Sequence, residues 1–233
     1  MGFENNEADM TEKKKDILGK GALVQRDYQT YAIVPHIPGG LCTPDQLRTI
    51  ADVAEKYKAA ALKITSAARL AIVGVQEEDL DNIWKELGMA PGAAVGLCVR
   101  SIKFCPGTTF CRMGKQDSVG LGTTLDELYH GFDLPSKMKI SVSGCQICCA
   151  ESWVKDLGFI GKPNGWTITV GGNAAGKPRI AEVLADELST DDALSMTDKL
   201  MNFYKDCSKP KRLGALIDSI GMEELKRGVG LTI

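Results

Sequence analysis

Cys105-Pro106-Gly107-Thr108-Thr109-Phe110-Cys111 is answered thirty-three residues later by Gly144-Cys145-Gln146-Ile147-Cys148-Cys149. Packing does not explain thiols drawn into two such tight groups, so they are read as closing on a metal centre. Zinc accepts four thiolates, but its structural sites favour gaps of two to four residues, and the first pair here is split by five with Pro106-Gly107 inside. Ferredoxin-type repeats with two-residue gaps and a trailing Cys-Pro are also absent. An iron–sulfur cluster on four thiolates is the favoured reading and zinc the alternative. Cys148 and Cys149 are adjacent and point in different directions, so one of them ligates a given corner; spacing does not choose between them. Cys42, Cys98 and Cys207 stand alone and read as small buried hydrophobes.

Outward from these loops, Val99–Phe104 alternates like a strand that delivers Cys105, and Met138–Ser143 alternates strictly and delivers Gly144 and Cys145. Both cysteine groups thus sit where strands run into loops, the usual place for chemistry on a rigid scaffold. Met113–Leu128 reads as a mixed helical region, Trp166–Val170 as a strand, and Ile180–Leu188, Ala193–Asp206 and Arg212–Leu225 as helices. Upstream, Pro91-Gly92-Ala93-Ala94 is a candidate hinge. Before it, Thr43-Pro44-Asp45-Gln46 carries an N-cap, a proline in the first helical position and a glutamine three residues after the cap, which starts a helix to about Tyr57. With strands at Tyr31–Pro35, Ala61–Thr65 and Leu70–Val75 and a helix over Glu77–Leu87, residues up to Gly88 form a small α+β module.

The 233 residues carry 28 basic and 30 acidic side chains, a net charge of −2, which gives no bulk field for nucleic acid or an anionic membrane. Any bound anion must be held locally. No apolar run approaches a membrane span and the polar N-terminus has no signal-like apolar segment, so a cytoplasmic location is expected. In that reducing compartment eight cysteines read as metal ligands before disulfides. Residues 1–22 are expected to form a flexible arm.

Together with Ser143–Glu151, the cysteine spacing resembles the sirohaem and [4Fe–4S] signature of sulfite and nitrite reductases. Gly39–Arg48 and Leu62–Thr65 resemble that family's ferredoxin-like half-domain, and Lys155–Gly161, Gly165-Trp166 and Gly171-Gly172-Asn173 its cluster domain. The resemblance covers residues 30 to 225. It implies an α+β fold: a ferredoxin-like half-domain over 23–90, then a sirohaem and [4Fe–4S] domain over 91–233, with a mixed sheet flanked by helices. It implies Cys105, Cys111, Cys145 and Cys149 as cluster ligands, with Cys149 bridging to the sirohaem iron.

For the substrate, the resemblance implies Lys137 and Lys139, on one face of a strand, as active-site lysines, with Arg69 and Arg100 as further candidates. Lys63, Thr65, Arg69, Arg112, Lys177 and Arg179 become candidate partners for the macrocycle and its carboxylates, and Gly171, Gly172 and Asn173 a loop that lets backbone approach the ring. The implied substrate is sulfite or nitrite, and the electrons come from a ferredoxin or flavoprotein. Larger family members hold this unit twice, so a homodimer in which Lys137 and Lys139 serve the partner's sirohaem is expected. Larger sulfite reductases have an arginine where this chain has Ala67; that departure supports a second reading, an electron carrier of the same fold without turnover.

Overall fold

The computed structural model describes residues 12–207 and 211–231. Residues 1–11 of the expected arm, and 208–210 and 232–233 of the expected cluster domain, lie outside the described residues. Two hydrophobic cores are present, each built on its own sheet.

The first sheet runs in the order β1 (Leu23–Val24), β2 (Tyr31–Ile33), β4 (Leu70–Val75), β3 (Ala61–Ile64), antiparallel throughout. Helix α1 (Pro44–Lys56) starts as its sequence dictates: the Thr43 side chain accepts the Gln46 N–H, and the Gln46 side chain accepts the Thr43 N–H. Such a reciprocal cap is worth about 1 kcal/mol. The helix buries Ile50, Val53 and Ala54, and α2 (Leu80–Leu87) adds Leu80, Ile83 and Leu87. Gly88, at φ +59°, ends α2 in the left-handed conformation that glycine adopts without strain. The described part of the arm is not loose: Lys14 pairs with Glu77 at 3.0 Å, the Trp84 indole donates to the Lys20 carbonyl, and Ala22 is fully buried. Its apolar residues Ile17 and Ala22 reach the core, which the polar composition of the stretch hides.

The second sheet has the order β5 (Lys103–Phe104), β6 (Ile140–Ser143), β7 (Leu157–Lys162), β8 (Gly165–Val170), β9 (Glu182–Leu188). Its first three strands are parallel and the rest antiparallel, so the sheet is mixed. Every residue of β6 and β8 is buried, and Phe159 and Trp166 lie fully inside. Helices α4 (Ser118–Tyr129), α5 (Thr190–Lys205), α6 (Leu213–Ile220) and α7 (Met222–Gly228) contribute Leu125, Leu200, Tyr204, Leu216 and Leu225 to this core.

Three expectations are corrected here. Ile180–Leu188 is not a helix: Glu182–Leu188 forms β9, paired with β8 from Val170↔Glu182 to Trp166↔Leu188. Its Glu, Ala and Leu content favours helix, but the edge of β8 offers a ladder that outweighs a propensity of a few tenths of a kcal/mol per residue. Val99–Phe104 pairs as a ladder only over Lys103–Phe104, with a single bridge from Val99 to Met138 before it. The last helix is two, α6 and α7, broken at Gly221.

Candidate functional site

Strands β5 and β6 lie side by side and end together, with Phe104 opposite Val142, and the Cys105 N–H still donates to the Val142 carbonyl at 3.1 Å. The chain beyond each strand therefore leaves from the same edge of the sheet. Absent side chains let the two loops touch. A Cβ on Gly144 would lie 2.6 Å from the Gly107 Cα, and one on Gly107, at φ +50°, would lie 2.2 Å from the Ser118 Oγ. The Gly144 carbonyl accepts from the backbone of Lys115 and Gln116, and its N–H donates to the Cys105 sulfur at 3.1 Å. Short helix α3 (Gly107–Phe110) then carries the chain to an exposed Cys111; Cys149 is exposed as well, and Cys105 and Cys145 are half-buried.

No disulfide joins the cysteines among the described residues. Nor do three His, Cys, Asp or Glu side chains among them converge on one ion. Zinc would need its sulfurs about 2.3 Å from a single centre. A four-iron cluster takes one thiolate at each of four corners and spreads them wider. Cys148, at φ +60°, turns its sulfur inward, where it accepts from the Ser152 N–H at 3.2 Å and the Ser143 hydroxyl at 3.7 Å.

A cavity of about 520 Å³ opens between the two sheets, lined among others by Thr65, Arg69, Arg100, Lys103, Lys137, Lys139 and Lys155. Arg69 arrives on a tight turn: the Thr65 hydroxyl accepts the Arg69 N–H, Thr65 N–H donates to the Arg69 carbonyl, and Ala68 takes φ +55°. Its guanidinium donates to the Ser101 hydroxyl at 2.9 Å and the Ala93 carbonyl at 3.4 Å. Arg100 donates to Ala93 at 3.3 Å and to the Gly96 carbonyl at 2.8 Å, and its backbone N–H binds Met138 beside the lysine pair. Met138 is fully buried between Lys137 and Lys139, so both lysines project outward on one face.

Among the described residues, Arg69, Arg100, Lys137 and Lys139 pair with no carboxylate. Lys103 and Lys155 share Glu151. Burial, and then Arg100, brings Arg69 down to about 10. Burial likewise lowers Arg100, and Lys139 is lowered by burial and then by Arg212, Lys155 and Lys137. Uncompensated cations held this close make a site whose missing partner is an anion.

Other candidate residues lie apart. Lys63 is exposed on β3 and donates to the Ile64 carbonyl, and Arg112 is exposed beside Cys111. Lys177, Arg179 and Asn173 line a separate cavity near α6. Arg179 is engaged by Asp218, Glu182 and the Gly171 carbonyl, and Asn173 by Arg212 and Lys177. Gly171 and Gly172 sit in close quarters: a Cβ on Gly172 would lie 2.6 Å from the Lys155 carbonyl, and one on Gly171 2.6 Å from the Arg179 guanidinium. Those glycines let the chain pack on itself.

Sequence reading missed the groups that hold the lysine strand. Asp156, fully buried, takes two hydrogen bonds from Arg212, at 2.7 and 3.0 Å, and a third from the Lys139 N–H at 2.9 Å. Its only sequence signal is an acid beside the apolar Leu157–Ile160. Ser141, Ser143 and Ser152 form a buried hydroxyl cluster under the Cys145–Cys149 loop. Asp156→Ala leaves the half-buried Arg212 without its carboxylate, and chemical denaturation is expected to show a loss of about 3 kcal/mol, at the low end for a broken buried pair.

The site thus combines two thiol-bearing loops that leave one sheet edge with a cavity lined by basic side chains, a combination suited to a metal centre and a small anion. A family model described as the nitrite and sulphite reductase 4Fe-4S domain matches residues 95–232, and one described as the nitrite/sulfite reductase ferredoxin-like half domain matches 23–90. The chain belongs to this family, whose reductases use sirohaem and a [4Fe–4S] cluster to reduce sulfite or nitrite. It is 48% identical over 211 residues to the assimilatory-type sulfite reductase of Nitratidesulfovibrio vulgaris, covering 90% of this chain and 97% of that one. It is 36% identical over 206 residues to a nitrite reductase (NAD(P)H) of Bacillus subtilis, covering 88% of this chain and 26% of that one. The fold is that of dissimilatory sulfite reductase I (TM-score 0.78, 16% identity, 87% of this chain and 69% of that one). It is also that of Mycobacterium tuberculosis NirA (TM-score 0.76, 18% identity, 93% and 43%). Among the described residues no helix is long and apolar enough to cross a membrane.

Proposed function

We propose that the chain reduces sulfite to sulfide, with Arg69, Arg100, Lys137 and Lys139 as its anion site and Cys105, Cys111, Cys145 and Cys149 as its cluster ligands. Carrying this reading is the cavity itself: Arg69, Arg100, Lys137 and Lys139, from three separate stretches of sequence, line it, and none of these four pairs with a carboxylate among the described residues, whereas Lys103 and Lys155 share Glu151. Sulfite is preferred over nitrite because the similar assimilatory-type sulfite reductase is matched over 97% of its length. The residues fit the expected groups: a four-thiolate set with an N–H already directed at one sulfur, and cations for an acidic macrocycle and a small anion.

Sirohaem, when bound beside the cluster, supplies an iron that takes the anion and receives electrons one at a time. The reaction balances as HSO₃⁻ with six electrons and six protons giving HS⁻ and three waters. The arginines, which do not release protons, orient the oxygens and offset their charge. Lys137 and Lys139 are placed to supply protons as each oxygen leaves, and burial, then Arg212, Lys155 and Lys137, lower the affinity of Lys139 for its proton. Cys149 would hold the cluster on the side where sirohaem would bind, and Cys148 is taken as a structural thiol. Electrons come from a separate ferredoxin or flavoprotein in the cytoplasm, and the units are the arm 1–22, the half-domain 23–90 and the cluster domain 91–233. One chain's own basic residues line the cavity, which supports a pocket completed within a protomer over one that borrows lysines from a partner. Arg69 lines the cavity although Ala67 does not supply an arginine, which supports a reductase over a carrier without turnover.

Anaerobically purified holoprotein with a reduced dye is expected to form sulfide from sulfite at a higher kcat/KM than ammonia from nitrite. A protein with intact sirohaem and cluster absorbance but no sulfide would be the carrier instead.

A further inference from the structure

At the seam between the two cores lies a polar cluster that the chemistry above does not use. His36, from the loop after β2, stacks on His130 at the end of α4, with ring centroids 3.7 Å apart and planes at 22°. His36 Nε2 lies 2.7 Å from the carboxylate of Asp126, one turn earlier on α4. The other Asp126 oxygen and His36 Nδ1 are buried without hydrogen-bond partners. His130 Nε2 accepts the Ala93 N–H at 3.0 Å. The carbonyl of that same Ala93 accepts from both arginines of the cavity, Arg69 and Arg100.

We infer that His130 is a positioning residue for the anion site: its unprotonated Nε2 anchors Ala93, and Ala93 in turn holds Arg69 and Arg100 at the cavity wall. A proton on Nε2 would set a donor against the Ala93 donor, so the anchor is released and the arginines lose their common acceptor. The charged groups facing the ring are His36 across the stack, Asp126 on its own helix and Arg69 from the β3–β4 turn, with Arg100 linked through Ala93. Burial, then His36 and Arg69, outweigh Asp126 and keep His130 below its ordinary value, so the anchor is intact at neutral pH and is lost only as pH falls through that lowered value.

This role rests on the anion-site reading, and the test separates the two. Nitrite is the probe because it stays a monoanion across the range, whereas sulfite itself titrates. Its Kd is read from the absorption change of the oxidised holoprotein, without turnover, in steps from pH 7.5 down to about pH 4.5, and its KM and kcat with a reduced dye. Wild type is expected to weaken about tenfold as pH falls through the lowered His130 value. His130→Gln, whose amide oxygen accepts without titrating, should bind as wild type does at pH 7.5 and lack that weakening. His130→Leu should show a Kd and KM raised about tenfold at pH 7.5, with kcat within about threefold. Wild-type affinity in His130→Leu, or an unchanged pH response in His130→Gln, overturns the role; should the leucine variant not fold, the glutamine comparison decides alone. Failure of wild type to bind nitrite saturably would instead remove the anion site, and this role with it.

Discussion

Cys149→Ser is expected to abolish sulfide formation and to strip the protein of cluster iron, whereas Cys148→Ser keeps both. The two residues are neighbours in sequence with opposite surroundings. Cys149 is exposed at the rim of the loop that Gly144 opens, free to bind metal, while the Cys148 sulfur is enclosed by Ser143 and Ser152. Serine at 148 has a shorter bond to its oxygen and reaches those donors less well, a cost of about 1 kcal/mol in stability. Iron analysis and absorption spectra of the anaerobically purified variants check the pair. Iron retained in Cys149→Ser but lost in Cys148→Ser would reverse the ligand assignment.

Lys139→Met is expected to lower kcat/KM for sulfite by about 10²–10³-fold, since it removes a charge facing the anion and a proton donor together. Lys139→Arg separates the two roles. Arginine keeps the charge at every accessible pH but gives up no proton, so KM should stay near wild type while kcat falls about 10²-fold. The wild-type pH profile carries a matching signature. Because burial and three neighbouring cations lower the Lys139 pKa, its ammonium is lost as pH rises through a value below the usual 10.5, and activity should decline there. That alkaline limb should be missing from the residual activity of Lys139→Arg. Equal kcat in wild type and Lys139→Arg would assign proton supply elsewhere.

Those features legible in the sequence were the ones written locally. The capping box at Thr43 and Gln46 is a four-residue signal and it forms as read. Alternation through Met138–Ser143 predicts a strand, and the ladder β6 covers its Ile140–Ser143 part, with Lys137 and Lys139 exposed just before it and Cys145 two residues beyond its end. What escaped depends on long-range partners. The helical composition of Ile180–Leu188 is overruled by an open edge of β8, a neighbour that no window of sequence contains. Arg69 and Arg100 are thirty-one residues apart, and nothing near either announces that both end on the Ala93 carbonyl. The Asp156–Arg212 pair spans fifty-six residues and is equally silent.

The cationic cavity is walled on one side by the sheet that carries Arg69 and on the other by the sheet that carries Lys139, so like charges confront one another across the contact between two cores. Empty, that contact is electrostatically frustrated; filled by an anion, the same charges become its adhesive. Ligand then binds only the docked arrangement, and by mass action it stabilises docking by RT ln(1 + [L]/Kd).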